Sequence, residues 1–295
     1  MLSRKKFIRQ GVLAGGTMMA GSSVLRAAEY FLPVKLTILH TNDTHSRIEP
    51  FPMDGGRNQG LGGVAARAEL INKIRQEEEH VLLLDAGDIF QGTPYFNIYK
   101  GEPEIKAMTA MNYDACTIGN HDFDAGMENL ATQLTHHAKF PMLVANYDFT
   151  GTAMENKTQP YKIFKKGKLK IGIFGVSIEG RGLIPDTLFG ATKYIDPVQK
   201  ANETANELKK NQGCDMVICL SHLGFQYKES NKISDEILAK ETSNIDLIIG
   251  GHTHTFFDNP LTYKNKKGDD IIVNQVGWAA IVLGRLDFEF TKFSG

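Results

Sequence analysis

The stretch VKLTILHTNDTH, residues 34–45, decides how this chain is read. Residues 34–41 are mostly apolar and β-branched, the composition of a strand. They run straight into a polar tip carrying Asp43 and His45. The same grammar recurs four times. VLLLD (81–85) is followed by Ala86-Gly87-Asp88, and ACTI (115–118) by Gly119-Asn120-His121-Asp122. MVICL (216–220) is followed by Ser221-His222, and IDLII (245–249) by Gly250-Gly251-His252-Thr253-His254.

Between these runs the period changes to that of a helix. Residues 63–78 carry Val64, Ala68, Ile71 and Ile74 on one stripe, and 102–111 and 125–137 read the same way. Asp196-Pro197 opens a helix with a capping carboxylate and a first-turn proline, and Gly213 closes it. Ser234-Asp235 opens a short one. Residues 161–164 and 168–176 read as a hairpin around Lys166-Gly167, 147–160 as a loop, and 271–275 and 281–290 as closing strands. Strands alternating with helices predict an α/β fold. No linker or repeat divides the chain, so residues 29–295 are expected to form one domain.

The composition narrows the function. With 42% apolar residues and a formal charge of −1, a large core is available and the basic surface of a nucleic-acid binder is absent. Cys116, Cys214 and Cys219 form no CxxC pair and lie in or beside apolar runs, so they read as small buried hydrophobes. Residues 1–28 differ from the rest. Arg4, Lys5, Lys6 and Arg9 precede the weakly apolar stretch 11–25, and Arg26-Ala27-Ala28 follows with small residues. That is the layout of a cleaved export signal, too short and too rich in Gly and Ser for a membrane span. SRKKFI (3–8) resembles the twin-arginine motif with Lys5 in place of the second arginine. The expectation is a periplasmic or extracellular protein with no stable membrane span after cleavage.

In open α/β sheets, sites form at the carboxyl ends of the strands. Here five such ends deliver Asp43, His45, Asp88, Asn120, His222, His252 and His254 to one edge. Imidazole, carboxylate and amide oxygens suit first-row divalent metals such as Mn, Zn, Fe, Ni or Co. Asp43 and His45 are alternate residues that can converge on one ion. His252 and His254 have the same spacing and can serve one ion or two. A carboxylate at Asp88, after a glycine that permits a sharp turn, can bridge two cations. Asp85 is a rival for that role. Asp122 reads as a group that holds a ligand in place or starts a helix. His40, His80, His136 and His137 lack this context and read as structural or surface. The glycine-rich segment 55–63 lacks the lysine of a phosphate-binding P-loop and reads as a loop entering a helix.

The blocks TNDTH (41–45), GDIFQGTPYF (87–96), GNHDFDAG (119–126), SHLGF (221–225) and GGHTH (250–254) together resemble the calcineurin-like metallophosphoesterases. The branch they resemble contains 5′-nucleotidases, UDP-sugar hydrolases and 2′,3′-cyclic phosphodiesterases. The likeness is collinear and includes the flanking GGVAAR (62–67) and LGRLDFEF (283–290). It implies a four-layer α/β/β/α sandwich and two divalent metal ions. One ion would be held by Asp43, His45, Asp88 and His254, and the other by Asp88, Asn120, His222 and His252. It also implies a catalytic His121–Asp124 pair. The family usually carries Glu at the position of Asp122.

The expected reaction is in-line attack on phosphorus by metal-bound hydroxide, with His121 stabilising charge or protonating the leaving oxygen. A 5′-nucleotidase-like phosphomonoesterase is the first reading. A 2′,3′-cyclic-nucleotide or UDP-sugar phosphodiesterase is the alternative among enzymes, and a non-catalytic metal-dependent binding subunit the alternative outside them. The expected partner is a small phosphorylated compound, a nucleotide above all, and no nucleic-acid polymer. The nucleotidases of this branch carry a further nucleoside-binding domain. The sequence here stops at Gly295, so broad specificity or a separate chain supplying that domain is expected.

Overall fold

The structure, a computed structural model, describes residues 33–229 and 232–291. The export signal expected at 1–28 lies outside the described residues. The strands are β1 (Val34–Thr41), β2 (Val81–Asp85), β3 (Ala115–Cys116), β4 (Met142–Leu143), β5 (Tyr147–Asp148), β6 (Thr158–Gln159) and β7 (Tyr161–Lys166). They continue as β8 (Leu169–Ser177), β9 (Lys193–Tyr194), β10 (Met216–His222), β11 (Leu247–Gly250), β12 (Leu261–Lys264), β13 (Asp270–Asn274) and β14 (Gly284–Phe290). The helices are α1 (Val64–Glu77), α2 (Pro94–Tyr99), α3 (Glu102–Ala110), α4 (Met127–His137), α5 (Asp186–Phe189), α6 (Pro197–Asn206) and α7 (Asp235–Glu241). None of the described helices is long and apolar enough to cross a membrane.

Two six-stranded sheets face each other, in the orders β14-β1-β2-β3-β4-β6 and β12-β13-β11-β10-β8-β7. Successive side chains of a strand point to opposite faces, so each central strand feeds two cores. From β1 and β2, Leu36, Ile38, Leu82 and Leu84 meet Ile171, Ile173, Ile218, Leu220 and Ile249 of the other sheet. Leu39 and Leu83 point outward and pack with Ile71, Ile105, Met108 and Leu130 from α1, α3 and α4. On the far side, Phe174, Val217, Cys219 and Ile248 pack with Ala201, Ala205 and Leu238 from α6 and α7. The result is the four-layer α/β/β/α sandwich, and it explains why β2, β10 and β11, buried along their length, are so apolar. Leu84 is fully buried between the sheets, and truncating such a leucine to alanine costs about 2–5 kcal/mol.

The pairs β1–β2, β2–β3, β8–β10 and β10–β11 are parallel. Their carboxyl ends therefore share one edge of each sheet. Helix starts follow residue chemistry. The Asp196 carboxylate accepts the Gln199 N–H at 2.7 Å and caps α6, and Ser234 caps α7 through Ile237. All three cysteines are buried and unpaired.

Two expectations about local structure are corrected. The segment read as a loop at 147–160 contains β5 and β6. β6 pairs with β4 at the edge of the first sheet, and β5 pairs with β9 in a separate ribbon. Two-residue strands carry no readable alternation. The final strand starts at Gly284 rather than at 281, because the backbone before it is drawn toward the first strand's tip. The Ala279 N–H donates to the Asp43 carbonyl at 2.7 Å.

Candidate metal centre

The tip of β1 turns sharply. Asp43, His45 and Ser46 all have left-handed backbone, φ 49°, 46° and 57°. Asp88, His252 and His254 do as well, at 56°, 71° and 52°. Non-glycine residues rarely adopt this region, although Asp and His tolerate it better than most. Such strain persists only where surrounding contacts impose it. Here the Asp43 and His45 N–H groups donate to the Gly87 and Asp88 carbonyls at 2.9 and 3.1 Å, tying the first tip to the second. The His252 N–H donates to both Asp43 carboxylate oxygens at 3.0 Å, tying in the last tip.

The donor atoms fall into two groups, Asp43, His45 and His254 in one and Asp88, His222 and His252 in the other. In the first, His254 Nε2 lies 3.0 Å from His45 Nε2 and 3.3 Å from Asp43 Oδ1. In the second, His222 Nε2 lies 3.1 Å from Asp88 Oδ2, and Asn120 Oδ1 is 2.8 Å from His252 Nδ1. Asp88 Oδ2 is also 3.9 Å from His45 Nε2, so it stands between the groups.

Several observations fit these donors to cations. His45 Nδ1 and His222 Nδ1 face the carbonyls of Phe90 and Ala86 at 3.2 and 2.7 Å. Donation to those carbonyls leaves each Nε2 lone pair aimed inward. His222 Nε2 is buried and, among the described residues, has no aligned hydrogen-bond partner, only the Asp88 carboxylate at ion-pair distance. Asp43 and Asp88 are almost wholly buried, and their ion-pair partners among the described residues are all histidines. Buried charge of this kind is paired or binds metal. Metal–ligand bonds of about 2.1 Å place neighbouring donors roughly 3.0–3.4 Å apart, close to the separations seen. Burial alone would push the His222 imidazole down. The Asp88 carboxylate, Asp43 and the Ala86 carbonyl together outweigh burial and lift it to about 10. The field that favours a proton there favours a cation there.

Asp85, the rival to Asp88, is turned away. It accepts the Thr41 hydroxyl at 2.6 Å and the Gly87 N–H at 2.9 Å. Asp122 accepts backbone N–H groups from Gly119, Asp88, Ile89 and Phe90 at 2.8, 3.2, 2.9 and 3.2 Å. It thereby joins the second and third tips. Burial and the neighbouring Asp88 raise its carboxyl to about 7. Gly119 has no room for a side chain, since a Cβ would lie 2.2 Å from Asp88 Oδ1.

His121 begins a single 3₁₀ turn, His121–Phe123. Its N–H donates to Asp88 Oδ1 at 2.8 Å, and its Nδ1 lies 2.8 Å from Asp124 Oδ2. That bond to Asp124 raises the imidazole above its usual value, against the opposing effect of burial. His40 is separate from the cluster. It is buried, with Nε2 2.9 Å from the Asn274 amide of the opposite sheet.

Three residues at the centre were not picked out in the sequence. Asn42 donates to Asp43 Oδ2 at 2.6 Å and to the Gly277 carbonyl at 2.5 Å. Gln275 donates to the Gly251 carbonyl and accepts the Thr255 N–H at 2.6 Å. Trp278 stacks on His254, with ring centroids 5.8 Å apart and planes 10° apart. The one available signal was for Trp278, the single tryptophan of the chain.

A doubly sheeted sandwich with donor-bearing strand ends on one edge is the architecture of a phosphoesterase, and the chain belongs to the calcineurin-like phosphoesterase family, whose profile matches residues 36–256. More particularly, it is 39% identical over 228 residues to the snake venom 5′-nucleotidase of Crotalus adamanteus, across 75% of this chain and 37% of that protein. It is similar in structure to the NAD nucleotidase NadN of Haemophilus influenzae, with a TM-score of 0.77 and 32% identity over 88% of this chain and 54% of that one. It is also similar to the calcineurin-like phosphoesterase YfkN of Bacillus subtilis, with a TM-score of 0.73 and 30% identity over 88% of this chain and 86% of that one. The chain thus spans well under half the length of the venom enzyme.

Proposed function

We propose that the chain is a two-metal phosphomonoesterase of the 5′-nucleotidase kind, exported from the cytoplasm, with residues 29–295 as its catalytic domain. One cation would be held by Asp43, His45, Asp88 and His254, and the other by Asp88, Asn120, His222 and His252. Cations bound there supply Lewis acidity, lowering the pKa of water and neutralising charge on the phosphoryl oxygens.

The chain's own groups do the rest. Strand tips locked by backbone hydrogen bonds hold the donors in place before substrate arrives. Asp124 engages His121 Nδ1, which leaves Nε2 as the working nitrogen and favours the protonated ring. When a water oxygen bonds to phosphorus and the ester P–O bond breaks, His121 gives its proton to the departing oxygen. An alcohol and inorganic phosphate result.

The observation that carries this reading is the pairing of two buried carboxylate–histidine groups with a polarised His121–Asp124 pair beside them. A metal-binding module has no need of that pair. The nucleotide preference is supported by relatives whose names are 5′-nucleotidase and NAD nucleotidase. The test is hydrolysis of AMP, a 2′,3′-cyclic nucleotide, UDP-glucose and p-nitrophenyl phosphate with Mn, Zn, Co, Ni or Fe supplied. AMP should be cleaved fastest. Metal binding without turnover of any substrate would make the chain a binding subunit instead.

A further inference from the structure

Two cavities meet at the chain's single tryptophan. One, of about 310 Å³, is bounded by His45, Gln91, Gly92, His121, His254 and Trp278, so it opens on the candidate centre itself. The other, of about 380 Å³, is bounded by Arg57, Asn58, Leu61, Phe256, Trp278 and Ile281. Each lies within the size range of small-molecule sites. The second has apolar walls that solvent reaches, with Leu61 43% and Phe256 49% exposed.

The shared wall is built with care. The indole lies flat against His254 and meets Phe51 edge-on, with centroids 5.7 Å apart. The Arg47 guanidinium covers Phe51 at 3.9 Å. Behind the indole, Ala279 and Ala280 are left-handed, φ 54° and 48°, a conformation that L residues with a Cβ disfavour. The hydrogen bonds from Ala279 to the Asp43 carbonyl and from Asn42 to the Gly277 carbonyl hold that backbone to the first strand's tip. Gly277 must be glycine, because a Cβ there would lie 2.1 Å from the Phe256 ring. The glycine-rich segment 55–63 closes the opposite side, since a Cβ on Gly62 would come within 3.0 Å of the Ala279 carbonyl. A strained loop anchored to a candidate ligand thus presents an aromatic face to an open trough.

We infer that this trough is the leaving-group subsite, in which Trp278, Phe256 and Leu61 receive a planar heterocyclic group such as the base of a nucleoside. The inference rests on the phosphomonoesterase reading. The direction follows from His121, which borders the first cavity. The departing oxygen takes its proton there, so the group attached to that oxygen extends into the space that Trp278 walls. Stacking on an aromatic face tolerates any base, because every base has a π-face. Arg57 and Asn58, which line the same trough, meet the polar edges.

Because Trp278 is the only tryptophan, its emission reports on the trough directly. Adenosine, titrated into the full metal-loaded chain, should quench that emission saturably, and ribose should not. Phe256→Ser should weaken quenching by adenosine about tenfold. The same variant should lower the kcat/KM ratio of AMP over glycerol 2-phosphate by a similar factor, mostly through KM. Phe256→Tyr, which keeps the ring, should restore both. Absence of quenching in a chain that hydrolyses AMP overturns the subsite alone. Quenching without hydrolysis of any phosphate ester overturns the phosphomonoesterase reading, and the leaving-group role with it.

Discussion

The two donor groups use the same residue types but differ in access. In the inner one, the His222 side chain is wholly buried, on the last residue of β10 between two packed sheets. In the outer one, the His254 side chain is 39% exposed and its ring leans on Trp278 at the edge of a cavity. A strand residue, His222, anchors the first, whereas every donor of the second lies in a loop tip. The inner group is therefore positioned by the core and the outer by its neighbours, so the two should respond differently to perturbation.

Asp88 belongs to the inner group and stands 3.9 Å from His45 of the outer one, and removing its charge is the severest way to erase the difference. Asp88→Asn should abolish binding of both ions by elemental analysis and lower turnover on the order of 10⁴-fold or more. His121→Ala spares both groups. Turnover should fall about 10²–10⁴-fold with metal content unchanged, and loss of metal would show that His121 does not play the proposed part. A chelator sharpens the contrast. The outer ion should leave first, taking activity with it, and the inner ion second. The unfolding temperature should fall mainly in the second step, by the equivalent of about 3–4 kcal/mol if that ion is tightly bound. A single release step would mean that the groups are not distinct.

The smallest effect concerns a histidine outside both groups. Burial holds His40 at about 4, well below its ordinary 6.5. As pH falls, the unfolded chain therefore takes up this proton before the folded one. The stability His40 contributes is fully present above pH 6.5 and is lost progressively toward pH 4, by about 3 kcal/mol. Urea unfolding of the metal-free chain at pH 7 and pH 4.5 should show this slope. His40→Gln, which keeps an acceptor for Asn274, should flatten it.

The contrast also bears on what could be read in advance. Strands covered on both faces announce themselves as apolar runs, so β1, β2, β10 and β11 and the polar tips behind them were legible. The same logic fails for β5, β6 and β9, where two residues cannot show a period. Helix α2 was missed although Thr93-Pro94 carries a helix-start signal, because the helix is only six residues long and ends at the left-handed Lys100. Asp122 was left between two roles, since nothing local indicates a carboxylate gathering N–H groups from two separate strand ends. Trp278 was invisible as part of the centre because its place depends on a backbone path that no propensity describes.

That path has a consequence for portability. Five of the seven proposed ligands, Asp43, His45, Asp88, His252 and His254, sit in left-handed backbone. A short peptide copying TNDTH or GGHTH would relax into ordinary conformations and scatter its donors. The site cannot be lifted out as a motif and grafted elsewhere by matching residue types. A transplant would have to carry the two sheet edges that hold those turns in shape.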